Sequence, residues 1–480
     1  MLTFTTALAL AASVATAPTE SELTVYNGGF ALVKQKRSLD LKTGVQSVGI
    51  EDVAQLIEAN SVGIRSLSAP GSFSVLEQNY QYDLISPIAI LNKAVGQPIT
   101  FHRTLPNGGK EVLKGTLLSS ATAMVSQGDG NSNYTYNGMV IRTDDGKIIL
   151  NPSGEIQVDS LPAGLISKPT LVWMLDSDRA GRNEIELSYL TRGLTWKSDY
   201  VLSLGKDGKL GDLKGWVTMT NNSGVAYTDT KLKLLAGDVN RVVQGPGGFG
   251  GGRTGGAPMA KMMDANMQEE QFADYHLYTL PRPATVRNNE MKQLSLLEAT
   301  GVQVTKKLLV DALYGFGAYY PSEGAVGTGP IKPVVYLQLK NSKENKLGVP
   351  LPKGTFKVFQ SDASGSLQML GEDSIDHTPK DEKLSLRVGK AFDIVVERKR
   401  TLFEWIRRGH ACRETFEIEL RNRKETPETV TVWERHWGEH KVTKESMKGK
   451  WLDNDTLEYE VVLAPNEVKT VTYTIETSWD

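Results

Sequence analysis

The stretch WERHWGEH, residues 433–440, sets His436 and His440 four positions apart, the spacing of two metal ligands on one helical face. The residues around it, VTVWERHW, alternate as a strand does. Four strand residues span about 13 Å, too far for one ion unless the chain turns at Gly438. The pattern places Trp433 and Trp437 on a sheet with the charged groups facing water, and it assigns no metal and no cofactor.

A second cluster, VERKRTLFEWIRRGHACR, interleaves cations with aromatic rings: Arg398, Lys399, Arg400, Phe403, Trp405, Arg407, Arg408 and Arg413. Such interleaving suits an anionic polymer or a single nucleic-acid strand. A long exposed hairpin whose positive edge discourages edge-to-edge pairing explains the same residues. These eight are the candidate ligand contacts. The whole chain carries 54 Lys and Arg against 56 Asp and Glu, so it has no global field for nucleic acid, and none is expected as a partner. An envelope protein or an acidic envelope polymer is the expected partner.

Gly245, Gly247 and Gly250 satisfy the letters of a dinucleotide-binding loop, with Glu269 and Glu270 about twenty residues beyond. Such a loop needs a helix directly after it, and here the glycines run on to Gly256. Residues 245–272 therefore read as a Gly- and Met-rich linker, in which Met259, Met262, Met263 and Met267 form an adaptable candidate partner contact. Asp176, Asp178 and Gly181 faintly resemble a calcium loop, but Ala180 and Leu187 stand where oxygen ligands belong, so a hairpin tip fits better. The lone cysteine, Cys412, excludes an intrachain disulfide and CxxC motifs; it reads as a small buried hydrophobe. No catalytic residue is assigned, and carboxylates that meet only on folding leave no motif.

The elements that must position these residues are strands. Apolar residues make up 40% of the 480, enough for a substantial core. Alternation recurs along the chain: Leu171, Trp173 and Leu175 share one face, and Ile185, Leu187 and Tyr189 another. Asn27-Gly28-Gly29 marks a hairpin turn. The one clear helix signal is SPIAILNKAVG, with Ser86 as N-cap, Pro87 first in the helix and Gly96 as the stop. The expected fold is all-β: tandem antiparallel sandwiches with an inserted small barrel-like module and few short helices. Residues 1–17 resemble a signal peptide without a basic start, which predicts export to the periplasm or beyond. Residues 18–77 with 166–244 form the first sandwich, 78–165 the inserted module, and 273–480 a second sandwich with a long hairpin. No run approaches the roughly 18 apolar residues of a membrane span.

Several blocks in order resemble the bacterial family called domain of unknown function 4139, which includes mucoidy-inhibitor A-like proteins. The similar points are Tyr189, Gly193, Trp196 and Tyr200, then Asn222, Gly224, Leu232, Leu234 and Gly237, with later blocks at Tyr275–Leu296 and Asn341–Gly371. The chain departs from the mucoidy-inhibitor branch in lacking a long central heptad region, and it carries the small module instead. The resemblance implies a β-rich envelope protein and supplies no catalytic residues. Binding or scaffolding is the expected role, with hydrolysis of envelope glycan or peptide as the alternative. An enzyme should gather two carboxylates, or a His and a carboxylate, in a pocket between domains. A binding protein should expose an aromatic or apolar patch or a basic groove.

Overall fold

The computed structural model describes residues 13–104, 108–119, 122–127, 131–136, 138–152, 154–237, 239–241, 267–313, 321–324 and 326–479. The fold is all-β, built from stacked sheets, with one short helix and two 3-10 turns among the described residues. Alternation supplies the reason: Leu171, Trp173, Leu175, Ile185, Leu187 and Tyr189 are all fully buried, and the residues between them face outward.

The first unit centres on an eight-stranded sheet in which Glu20–Tyr26 and Phe30–Leu41 form the expected hairpin and Gly181–Arg192 lies alongside. Gly29 takes the positive φ, 81°, that closes that hairpin. The strands Thr170–Ser177 and Gly181–Arg192 do not form a hairpin with each other. Thr170–Ser177 pairs with Gly44–Glu51 and Phe73–Gln81 in a four-stranded sheet, while Gly181–Arg192 belongs to the eight-stranded one. Asp176 to Gly181 is thus a corner where the chain changes sheet. Ser177 holds that corner by donating to the carbonyls of Arg179 and Ser72.

Two boundaries move. The strands Glu290–Gln303, Gly354–Ser361 and Leu367–Ile375 were expected in the second sandwich, yet they join Leu194–Leu204 and Leu210–Asn221 in one five-stranded sheet. The first core cluster accordingly runs on to Leu386. Alternation reveals that a strand is half buried, not which sheet receives it. Gln268–Phe272, expected as linker, pairs with Tyr275–Thr279 as a strand.

The inserted module contains the expected helix, Pro87–Lys93, whose Ser86 side chain accepts from the Ala89 amide. Five of its strands run in the order Ile148–Leu150, Val140–Thr143, Lys110–Leu117, Pro98–Thr104, Glu155–Val158, an open sheet over a small core of Ile99, Phe101, Leu117 and Ile141, and Thr122–Gln127 pairs with Asn131–Tyr136 in a separate two-stranded sheet. The barrel-like closure is therefore corrected to an open sheet. The Leu84–Ile166 bridge ties its two ends, so Gln78 to Gln81 belong to the four-stranded sheet rather than to the module.

The second unit is a sandwich of a six-stranded and a five-stranded sheet with its own core, including Val396, Phe416, Ile418, Val432, Tyr459 and Tyr473. One device recurs through the molecule. Asn221, Asn341 and Asn422 are fully buried at strand ends, and each amide donates to loop carbonyls while its Oδ1 accepts a main-chain N–H. The strand after each pairs in parallel with an earlier one: Tyr227–Ala236 with Glu20–Tyr26, Gly354–Ser361 with Leu194–Leu204, and Glu428–Arg435 with Thr305–Asp311. A buried amide satisfied on both sides fixes the crossing that parallel pairing requires.

At the other terminus of the chain, Ser13–Val14 pairs in parallel with Val48–Gly49, and Ala15 is buried in the first core. The end of the expected leader is thus woven into the fold. Among the described residues no helix is long and apolar enough to cross a membrane.

Candidate functional site

The titratable residues that converge lie between the sheets of the second sandwich. Ile394–Arg407 alternates inward through Ile394, Val396 and Arg398, so the same period that buries two apolar side chains buries a guanidinium. From the facing sheet, Glu428–Arg435 sends Val430, Val432 and Glu434 inward. Arg398 Nε and Nη2 donate to the Glu434 carboxylate at 3.0 and 2.7 Å, and Nη1 donates to the carbonyls of Val326 and Gly327 at 3.3 and 3.2 Å. The guanidinium carbon lies 3.9 Å from the centre of the Phe416 ring. The Tyr473 hydroxyl donates to Glu434, and its oxygen lies 3.3 Å from His436 Nε2. Arg398 and Glu434 are 2% and 1% exposed.

Electrostatics follow from this burial. Desolvation opposes the charge on Arg398, but Glu434 and Tyr473 outweigh it and hold the guanidinium ionised. Burial drives the Tyr473 hydroxyl far above its ordinary range, with Glu434 adding to the effect. Burial, then the Arg398 and His440 charges, pushes His436 down to about 3, so its ring is neutral near neutral pH. A neutral Nε2–H suits the hydroxyl oxygen that has already given its proton to Glu434.

His436 and His440 do come together, with ring centroids 6.0 Å apart. The chain turns at Gly438, φ 80°, and passes from the six-stranded sheet to Glu439–Glu445 in the five-stranded one. His436 faces Tyr473, whereas His440 Nδ1 lies 3.0 Å from the Gly438 carbonyl and its ring stacks on Trp451. Among the described residues no three His, Cys, Asp or Glu side chains gather in a way that could hold a metal. Glu434, expected to face water, is instead the carboxylate of the interior.

The basic hairpin divides. Arg398 is buried and the Arg400 side chain is only 5% exposed, so neither is available to a polymer, because alternation carries both to the inner face. Arg400 pairs with Glu414 at 2.9 Å and donates to the carbonyls of Ser322 and Glu323. Arg413 pairs with Glu476 and Glu404, and Lys399 with Glu397. Arg407 and Arg408 are exposed. Beyond the buried arginines the same inner face continues as half-buried aromatic rings. Phe403 meets Trp405 edge to face at 5.0 Å, Trp405 lies 6.1 Å from Trp479, and Trp479 lies 6.1 Å from Trp437. Trp405 Nε1 donates to Glu323. Burial, with Glu414 adding to it, pushes the Cys412 thiol up to about 12, which keeps it protonated and unreactive near neutral pH.

Met267 packs in the first core at 8% exposure and offers no surface to a partner. Met259, Met262, Met263 and the Gly245–Gly247–Gly250 fingerprint lie outside the described residues. No family model matches the chain, and no curated protein matches it.

Proposed function

We propose that this chain is an exported cell-envelope protein that works by binding or scaffolding, with Phe403, Trp405, Trp437 and Trp479 at the ligand face of the second sandwich. It is the kind of protein that the resemblance to domain of unknown function 4139 implies. The observation that carries the reading is how the site spends its polar groups. Arg398, Glu434, Tyr473 and His436 bond to one another and to main-chain carbonyls inside the core, while the aromatic row beside them stays half open. Rigid aromatic rings with one wet edge are effective contact residues. With Arg398 and Arg400 buried and Arg413 and Lys399 in ion pairs, an acidic polymer would meet chiefly Arg407 and Arg408, so a protein partner is favoured over a polyanion.

Crosslinking pull-down from native envelope tests this. Trp405→Ala with Trp479→Ala should remove the captured partner without unfolding the protein, and unchanged capture would overturn the ligand face. The Glu434–Tyr473–His436 chain is the observation that favours a hydrolase instead. Turnover of an envelope glycan or peptide that Glu434→Gln abolishes, with the fold intact by circular dichroism, would replace the binding reading. Export is tested by N-terminal sequencing of the mature protein. Cleavage after Ala17 removes the Ser13–Val14 strand, so the exported form should then melt at a lower temperature than the full chain.

A further inference from the structure

Between the sheets of the second sandwich, two imidazoles each turn one nitrogen to a fixed partner and keep the other nitrogen unpartnered. His440 Nδ1 lies 3.0 Å from the Gly438 carbonyl, which can only accept, so that nitrogen carries the proton and Nε2 the lone pair. His436 gives its Nε2–H to the Tyr473 oxygen at 3.3 Å, which leaves the lone pair on Nδ1. Neither His436 Nδ1 nor His440 Nε2 has a hydrogen-bond partner among the described residues. The turn at Gly438 brings the two rings to 6.0 Å between centroids. A third polar atom beside them is also unpaired. Thr477 stands opposite His440 in the ladder and shares its inward face with Tyr473 and Ile475. It is 2% exposed, and its hydroxyl oxygen has no hydrogen-bond partner among the described residues. Buried hydroxyls are rarely left so, and one opposite an unpartnered imidazole marks a place for a ligand. Trp451, 38% exposed, closes the group: its ring stacks on His440 at 4.4 Å and meets His436 edge to face at 6.2 Å.

We propose that His436 Nδ1 and His440 Nε2 hold one monovalent metal ion, Cu(I), between them, with Thr477 Oγ1 as a weaker third donor and the Trp451 ring alongside. The spacing fits. An imidazole nitrogen sits about 2 Å from a bound metal and its ring centre about 1 Å further back, so two rings on opposite sides of one ion have centroids about 6 Å apart. The N–H groups turned to Gly438 and Tyr473 are the outer contacts that orient metal-binding histidines. The class of ion follows from what the group lacks. A divalent ion such as Zn(II) takes four ligands, and among the described residues no three His, Cys, Asp or Glu side chains gather. The Arg398 cation, whose field already reaches His436, opposes a divalent ion more than a monovalent one. Imidazole suits copper, and an indole ring favours an adjacent cation. None of Phe403, Trp405, Trp437 and Trp479 takes part, so the inference stands whether or not that row binds anything.

The test uses the full chain and the metal alone, with Ag(I) in chloride-free buffer as the air-stable probe for Cu(I). Calorimetric titration should show one saturable site, and binding should quench tryptophan fluorescence and raise the melting temperature. His440→Phe keeps a ring on Trp451 and should weaken the Kd at least about a hundredfold, more than the loss of an outer contact would. Thr477→Val should weaken it about tenfold, and an unchanged Kd there would strike the hydroxyl from the site. Cys412→Ala removes the one thiol in the chain and should leave the Kd as it was. If His436→Phe fails to fold, His440→Phe decides alone. No saturable site, a Kd indifferent to His440→Phe, a site lost with Cys412→Ala, or Zn(II) bound as tightly as Ag(I) would each overturn the proposal.

Discussion

Asn221 and Asn422 do the same work in two units whose interiors handle charge differently. Each donates to the carbonyl four residues on, at 2.9 Å, and each accepts the amide two residues on, at 3.0 Å. Both interiors also bury an arginine at 2% exposure. In the first unit Arg37 is held by neutral oxygens: the Gln35 side chain at 2.8 Å and main-chain carbonyls, among them Glu51 at 2.8 Å. Burial pulls that guanidinium below its ordinary range, with Tyr189 and Asp52 offsetting part of the effect. In the second unit Arg398 faces a carboxylate and its pKa moves the other way. Dipoles suffice where a buried arginine reaches loop carbonyls near a sheet end. An arginine between two sheets, in contact with both, requires an opposite formal charge.

The largest effect should come from Glu434→Gln, which leaves Arg398 buried and unpaired; urea unfolding should show a loss of about 3–5 kcal/mol. Replacing both partners, Arg398→Met with Glu434→Leu, should recover most of that. If Glu434→Gln costs no more than a surface change, the contrast between the two arginines fails. Gln35→Ala should cost less, about 1.5–3 kcal/mol, because only hydrogen bonds to the charge are lost. Asn221→Ala and Asn422→Ala should each cost about 1–3 kcal/mol by leaving carbonyls unsatisfied, and values that differ widely would deny that the two plugs are equivalent.

Absent at neutral pH and spread over several pH units below it, the last effect is an acid sensitivity that originates in the second unit. His436 titrates at about 3 in the folded chain against 6.5 unfolded, so the unfolded state binds the proton first. Stability from this group is complete above pH 6.5 and falls as pH drops toward 3, by at most about 1.4 kcal/mol per pH unit. His436→Phe should flatten that slope in denaturation curves collected between pH 7 and 4. An unchanged slope would assign the acid sensitivity to other groups.

Part of the buried cluster was legible. Val430, Val432, Glu434 and His436 fall on one face of an alternating strand, as do Ile394, Val396 and Arg398, and reading the period through the charged residues predicts them inside. Residue type argued the other way, since arginine and glutamate are rarely buried, and so the hairpin appeared as a basic surface. The three asparagine plugs leave no periodic signal in the sequence, because the segments between them differ in length, which hides them from any fixed-period search.

The alternation of apolar side chains by itself determined an all-β chain, the Asn27–Gly29 turn and the Ser86-capped helix, since these depend on contacts within a few residues. Tertiary structure decided which sheet each strand joins, that the inserted module stays open, and that Arg398 meets Glu434 rather than solvent. The reason is physical: period two fixes which face of a strand is buried. The neighbour it is buried against depends on parallel and crossover pairings between residues tens to hundreds of positions apart, and no local pattern encodes those.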